Sequence, residues 1–75
     1  MTITGAQLRA ARELIGLSQA ALAVIVQCGT NGIASFEAGE GSFDPRILAG
    51  LRRALEAAGV EFLDGEPGAR LKAKP

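Results

Sequence analysis

The stretch of sequence that decides the fold is residues 17–39, which read LSQAALAVIVQCGTNGIASFEAG. Ser18 stands before a run of apolar and small residues, so it predicts the N-cap of a short helix over residues 19–26. A three-residue turn then leads to a second short helix over residues 30–38. Gly39 ends this helix, because glycine takes the left-handed conformation without steric penalty. The pattern predicts two short helices joined by a tight turn.

Longer helices are predicted on both sides of this stretch. Thr4 and Gln7 form the S/T-x-x-E/Q pattern of a capping box, which begins a first helix over residues 5–15. Asp44, followed by a proline, begins a last helix over residues 45–58. The helical period places apolar side chains on the inward faces of these helices. The predicted core residues are Leu8, Ala11, Ile15, Leu22, Ile33, Phe36, Leu48, Leu51 and Leu55.

The apolar period changes beyond the last helix. Residues 60–63 predict a strand, residues 65–68 a turn and residues 69–72 a returning strand. An isolated hairpin is barely stable in water, so it either packs on the helices or pairs with a second copy of the chain. The predicted organisation is a helical domain over residues 1–58, followed by a strand or hairpin extension and a tail over residues 59–75.

Composition excludes several classes of function. The chain has 75 residues, 48% of them hydrophobic, with one cysteine and no histidine. This indicates one small folded domain without an imidazole base, and no phosphate-binding loop is recognisable. Cys28 alone forms neither an internal disulfide nor a zinc site, and is expected to be a buried thiol. We therefore predict no enzymatic activity, no metal and no cofactor.

Hydropathy and charge bear on location and partners. The longest apolar run, residues 20–26, is too short to cross a bilayer, and no signal peptide is visible, so a soluble cytoplasmic protein is expected. The formal net charge is zero, which is unusual for a protein that binds DNA. No lysine or arginine lies between Arg12 and Arg46. The acidic residues in this interval are Glu13, Glu37, Glu40 and Asp44.

The sequence resembles the Cro/cI-like, or XRE-type, family of bacterial helix-turn-helix transcriptional regulators over residues 6–58. The resemblance implies an all-α fold, a small lambda-repressor-like helix-turn-helix bundle of four to five helices. In this chain a short C-terminal β-hairpin or strand is added. The segments that carry the resemblance, together with a similar ending, are QLRAAR (residues 7–12), LSQAALA (17–23), IASFEAG (33–39) and LRRALEAAGVEFL (51–63).

The resemblance implies structural and DNA-binding roles. In the family an arginine placed as Arg12 pairs with a glutamate placed as Glu37, which ties the recognition helix to the scaffold; the alternative is two exposed charges that never meet. Gln19 stands where the family has a glutamine that donates to a DNA phosphate. Arg46 is expected near the DNA backbone. Because one copy would bind weakly, the resemblance favours a homodimer on two half-sites of duplex DNA.

The helix over residues 30–38 would be the recognition helix, with its first residues on base edges in the major groove. Thr30, Asn31 and Ser35 are the candidate contacts. Asn31 can read adenine through two hydrogen bonds, and the hydroxyls can bind a phosphate or a base. The alternative for Thr30 is that its hydroxyl caps the helix, and for Asn31 and Ser35 an ordinary solvated surface.

Several residues depart from the family pattern. Gln27 stands where a turn glycine is usual, Gly29 where a Ser or Thr cap is usual, and Gly32 removes one side chain from the recognition helix. Val24 and Ile25 occupy positions that are usually charged, and such an apolar surface suits a protein partner. Two functions therefore remain open: a regulator that binds duplex DNA, and a protein-binding regulator, such as an antiactivator or co-regulator, that does not read DNA.

Overall fold

The computed structural model describes residues 3–63 and 68–72. Within these residues the chain forms four helices followed by a two-stranded antiparallel sheet. This confirms the predicted fold class, a small helical bundle with a C-terminal β-hairpin. The elements are α1 (Gly5–Leu14), α2 (Gln19–Val26), α3 (Thr30–Glu37), α4 (Pro45–Ala57), β1 (Val60–Phe62) and β2 (Ala69–Leu71).

Capping side chains begin α1, α2 and α4 as predicted. The Thr4 hydroxyl accepts a hydrogen bond from the backbone N–H of Gln7 at 3.1 Å, and Gln7 Oε1 accepts from the N–H of Thr4 at 2.8 Å. The Ser18 hydroxyl accepts from the N–H of Ala21 at 3.0 Å. Asp44 caps α4 in the same way. These acceptors satisfy N–H groups that have no partner within the helix.

The turn between α2 and α3 forms although it departs from the usual residues. Gln27 ends α2 in the left-handed conformation, with φ 55° and ψ 46°. That conformation costs an L-residue about 1–2 kcal/mol, a cost that glycine does not carry. Gly29 is the N-cap of α3 and Thr30 is its first helical residue, with no side-chain cap. The interpretation of Thr30 as the capping residue is therefore wrong.

The core lies between the helices and the hairpin. Its largest fully buried side chains are Leu8, Leu22, Ile33, Leu51, Leu55 and Val60. The predicted core residues Ala11 and Phe36 are also buried, whereas Ile15 and Leu48 are only partly buried at its edge. Cys28 is also only partly buried, so the expectation of a buried thiol is wrong. Ile3 is buried at the position before the N-cap of α1, and Leu8 is buried four residues into the helix, the arrangement of a hydrophobic staple. The helical period did not reveal Ile3, because it lies outside the helix.

The hairpin packs on α1 and α4 of its own chain. Val60 lies opposite Leu71 in the sheet, and both strands contact α1. Val60 and Ala69 are 1% and 3% exposed, so the hairpin contributes side chains to the core. Of the two expectations, packing on the helices is observed. The predicted turn over residues 65–68 lies, except for Gly68, outside the described residues.

Gln7 joins the start of α1 to the hairpin. Its Nε2 donates to the backbone carbonyl oxygens of Leu63 at 2.8 Å and Gly68 at 3.3 Å, while its Oε1 completes the capping box. One side chain therefore connects the first turn of α1 to the residue that follows β1 and the residue that precedes β2. Only the capping role is visible in the sequence, because the hairpin carbonyls are distant in the chain.

Candidate nucleic-acid interface

α3 is held to the core by one face and exposes the opposite face. Ile33 and Phe36 are 0% and 8% exposed. Asn31 and Ser35 are exposed, and the period of 3.6 residues per turn places them on the side away from Ile33. Thr30 is exposed on the first turn of the helix. The three candidate base-contacting residues are thus all accessible from outside.

A bidentate ion pair connects α1 to the end of α3. Arg12 Nε donates to Glu37 Oε2 at 2.8 Å, and Arg12 Nη2 donates to Glu37 Oε1 at 3.0 Å. Arg12 Nη1 donates to the backbone carbonyl of Leu17 at 2.9 Å. The two charged side chains are only 14% and 4% exposed. Paired charges excluded from water in this way hold α3 in a defined orientation relative to α1.

The pair changes the acidity of both groups. Burial raises the pKa of the Glu37 carboxyl, but hydrogen bonds from Arg12 and Gln19 and the charge of Arg12 outweigh it. The pKa of Glu37 therefore lies below its ordinary value of 4.5. The hydrogen bond to Glu37 raises the pKa of the Arg12 guanidinium. Both groups are charged at neutral pH, so the ion pair is intact there.

Gln19 belongs to the same network. Its Nε2 donates to Glu37 Oε1 at 3.0 Å, which links the first turn of α2 to the end of α3. An amide nitrogen carries two hydrogens, so one remains available to another acceptor. The phosphate contact expected of Gln19 is untested. Its link to Glu37 was missed in the sequence, because no local pattern joins these two positions.

An open cleft lies beside this network, where α1 and the first turn of α2 meet α3. Its volume is about 350 Å³. On its rim, Arg9 pairs with Glu13 at 3.3 Å. In the part of the chain that the structure describes, no group of histidine, cysteine or acidic residues is arranged to hold a metal ion. The cleft is lined by Arg9, Arg12, Glu13, Gln19, Ala34, Glu37 and Ala38.

Comparison with known families identifies the class of domain. The helix-turn-helix domain family matches residues 4–63, a segment that runs from the cap of α1 to just past β1. The chain belongs to the helix-turn-helix domain family. A comparison with curated proteins gives no significant match. Domains of this class are typically DNA-binding regulators, and the second helix of their motif enters the major groove. The helix at the corresponding place in this chain is α3.

The glycine within α3 of this helix-turn-helix domain has a packing role. A Cβ at Gly32 would lie 3.3 Å from Cε1 of Phe43. The ring of Phe43 packs on that of Phe36, with ring centroids 5.1 Å apart. Gly32 therefore makes room for an aromatic pair that holds the segment between α3 and α4. The sequence alone indicated only a missing side chain on the recognition helix.

The exposed cations of the helix-turn-helix domain lie outside α3. Arg46 is exposed on the first turn of α4, and its backbone N–H donates to Asp44 at 2.8 Å. The structure therefore groups the predicted residues in three places. Arg12, Gln19 and Glu37 form one network. Thr30, Asn31 and Ser35 share the accessible side of α3, and Arg46 stands on a separate element.

α2 of the helix-turn-helix domain exposes two large apolar side chains. Val24 is 77% exposed and Ile25 is 55% exposed. The preceding residues, Leu22 and Ala23, face the core and are buried. Within residues 3–63 and 68–72 these two side chains stay open to solvent. No helix of these ranges is long and apolar enough to cross a membrane.

Proposed function

We propose that this helix-turn-helix domain is a cytoplasmic transcriptional regulator of the Cro/cI-like (XRE) type, which binds duplex DNA as a homodimer through α3. The observation that carries the proposal is the exposed face of a helix held at its end by the Arg12–Glu37–Gln19 network. Sequence readout needs side chains that are both accessible and held in place. The accessible side of α3 meets both conditions.

The side chains on α3 suit limited base readout. Asn31 can form two hydrogen bonds to adenine, and such a pair discriminates by about 1–3 kcal/mol against the wrong base. Thr30 and Ser35 can each donate to a base or a phosphate. Arg46 supplies a phosphate contact, which does not depend on sequence. Readout by small polar groups predicts modest specificity for each copy of the domain.

The charge of the chain supports binding as a dimer. Its formal net charge is zero, and α3 carries no lysine or arginine. Phosphate neutralisation by cations supplies nearly all non-specific affinity for DNA. A single copy therefore has few phosphate contacts, and a second copy on a symmetric half-site doubles them.

The test is a titration of the purified protein with duplex DNA from upstream of its own gene, followed by fluorescence anisotropy at two salt concentrations. A scrambled duplex of the same composition is the control. We expect tighter binding to the upstream duplex, and Asn31→Ala should reduce this preference without altering the helical circular dichroism spectrum. No binding to either duplex at low salt would contradict the proposal.

A second function is favoured by one observation, the exposure of Val24 and Ile25 on α2. An apolar patch on a helix without charge suits a protein surface, so the domain would regulate transcription by binding a protein partner. The test is Val24→Glu and Ile25→Glu, with Ala6→Glu on the exposed side of α1 as the control. If both variants retain the associations of the wild-type protein in pull-downs from the host, this second function is wrong.

A further inference from the structure

The outer face of α4 carries two arginines in line. Arg46 and Arg53 stand at i and i+7, so they lie two turns apart on the same side of the helix, about 10.5 Å along its axis. The core is on the other side, where Leu51 and Leu55 are buried. Both arginines are exposed. Their side chains therefore extend from a single face of α4 into solvent.

These two arginines differ from the others in the described residues. Each of the other four pairs with a glutamate, whereas neither Arg46 nor Arg53 has an ion pair with a described residue. An arginine that is already paired with a carboxylate binds a second anion less strongly, because part of its charge and some of its N–H donors are already used. Among the described residues, the two arginines without an ion pair thus both lie on α4, while Lys72 beyond β2 is a further exposed cation. The paired arginines are Arg9, Arg12, Arg52 and Arg70.

The residues between Arg46 and Arg53 on this face are small. Ala49 and Gly50 lie between them on the same face and are exposed. A Cβ at Gly50 would meet nothing within 4 Å, so packing within the described structure does not require glycine there. Glycine inside a helix costs about 1 kcal/mol relative to alanine. Its position leaves the helix backbone open to close approach by another molecule.

We propose that this α4 face, defined by Arg46, Ala49, Gly50 and Arg53, binds the phosphodiester backbone of duplex DNA. Guanidinium groups bind phosphate through paired hydrogen bonds. Each strand of a duplex carries one phosphate per 3.4 Å of the duplex axis, and the axial separation of about 10.5 Å between the two arginines is large enough for them to contact two different phosphates. Arg46 and Arg53 can therefore contact phosphates of the same backbone segment, and the small residues between them let the sugars approach.

This inference rests on the proposed function and adds a contact to it. It extends the phosphate contact from Arg46 to Arg53, a residue that points away from the core on the third turn of α4. It also gives a neutral chain a local site for a polyanion. The interval between Arg12 and Arg46 has no cation, so a second arginine on α4 supplies part of the electrostatic affinity that α3 lacks.

The test is Arg53→Gln in the full chain, with DNA affinity measured by fluorescence anisotropy over a series of salt concentrations. We expect weaker binding to every sequence and a log–log salt slope reduced in magnitude by about 0.9, the value of one phosphate contact. The matched control is Arg70→Gln, which removes the same charge from a guanidinium that already bonds to Glu61 at 2.6 Å. Its slope should remain that of the wild-type protein.

Gly50→Gln tests whether the DNA backbone approaches α4 closely at this position, and it does so without changing the charge of the helix. Because a side chain there meets no neighbour in the described structure, the melting temperature should stay equal or rise, while DNA affinity should fall several-fold. Ala6→Gln on α1 is the control for an added side chain on an exposed helix face. Wild-type affinity for Gly50→Gln would overturn the inference.

The remaining outcomes separate this inference from the proposed function. If Asn31→Ala alters sequence preference while Arg53→Gln keeps the wild-type salt slope, the proposed function stands and the α4 contact is wrong. If Arg53→Gln weakens binding to polyglutamate but not to DNA, the face binds an acidic protein and the inference is overturned. If the wild-type protein binds no duplex at low salt, both are overturned.

Discussion

The two ends of α1 are attached to distant parts of the chain by different kinds of contact. At its start, Gln7 donates neutral hydrogen bonds to two hairpin carbonyls, and Gly5 lies directly against the backbone of α3. Near its other end, Arg12 forms a charged pair with Glu37. The first attachment holds the hairpin and the start of the bundle, and the second holds the end of α3.

The two attachments differ in how far each of them depends on a single residue. Glu37 accepts three hydrogen bonds, two from Arg12 and one from Gln19, so one carboxylate sets the orientation at the end of α3. The hairpin depends on many weak contacts, since Val60 and Ala69 are also buried. A charged attachment is also sensitive to pH, whereas a neutral one is not. Four changes to the protein or its conditions distinguish the two attachments.

The largest loss of stability is expected from Arg12→Ala. Removing one partner leaves the nearly buried carboxylate of Glu37 without its main donor, which costs about 3–5 kcal/mol of unfolding free energy. Urea unfolding measures this loss. The control is Arg9→Ala, which breaks the exposed Arg9–Glu13 pair and should cost less than about 1 kcal/mol. Equal losses in the two variants would show that burial of the Arg12 pair does not matter.

Gly5→Ala should cause the next largest loss of stability. A Cβ there would overlap the carbonyl oxygen of Phe36 and lie 2.9 Å from its carbonyl carbon, so α1 and α3 must move apart. Such overpacking costs about 1–3 kcal/mol. Gly50→Ala is the matched control, because it adds the same methyl group to open space and should stabilise α4 by up to about 1 kcal/mol. A melting temperature that shifts in the same direction in both variants would contradict this account.

Gln7→Glu separates the two roles of this side chain. A carboxylate keeps the acceptor for the N–H of Thr4 but loses the donor to the hairpin carbonyls, so we expect a loss of about 1–2 kcal/mol. Hydrogen exchange should accelerate at the hairpin amide of Leu63, which donates to Gly68 at 2.9 Å. Exchange in the first turn of α1 should stay unchanged. Unchanged exchange at Leu63 would mean that apolar packing alone holds the hairpin.

The smallest effect is the pH dependence of the charged attachment. The pKa of Glu37 in the folded state lies below 4.5, so its contribution to stability is complete above that pH and is lost as the pH falls through the folded-state pKa. The melting temperature of the wild-type protein should therefore fall more steeply below pH 4.5 than that of Glu37→Gln. Parallel curves would contradict the ion pair as the cause.

The order and bounds of the elements were predictable because their signals are local. Ser18 and Asp44 begin helices at the predicted positions, and α1 and α3 end only one residue before their predicted ends. A cap acts within one turn, and the helical period requires only neighbouring residues. At the start of α3 the sequence left two possibilities, and the structure decides between them: Gly29 is the N-cap, and Thr30 is the first helical residue.

Sequence alone was sufficient for the helices, the two strands and most of the inward-facing residues, since each follows from neighbours along the chain, whereas the bundle was expected from the family resemblance. Packing was needed to show that Gln7 holds the hairpin, that Gln19 donates to Glu37, and that Arg53 faces solvent without a glutamate among the described residues. The physical reason is distance along the chain. Hydrogen bonds and ion pairs between remote residues exist only after the helices have met, and no local period records them.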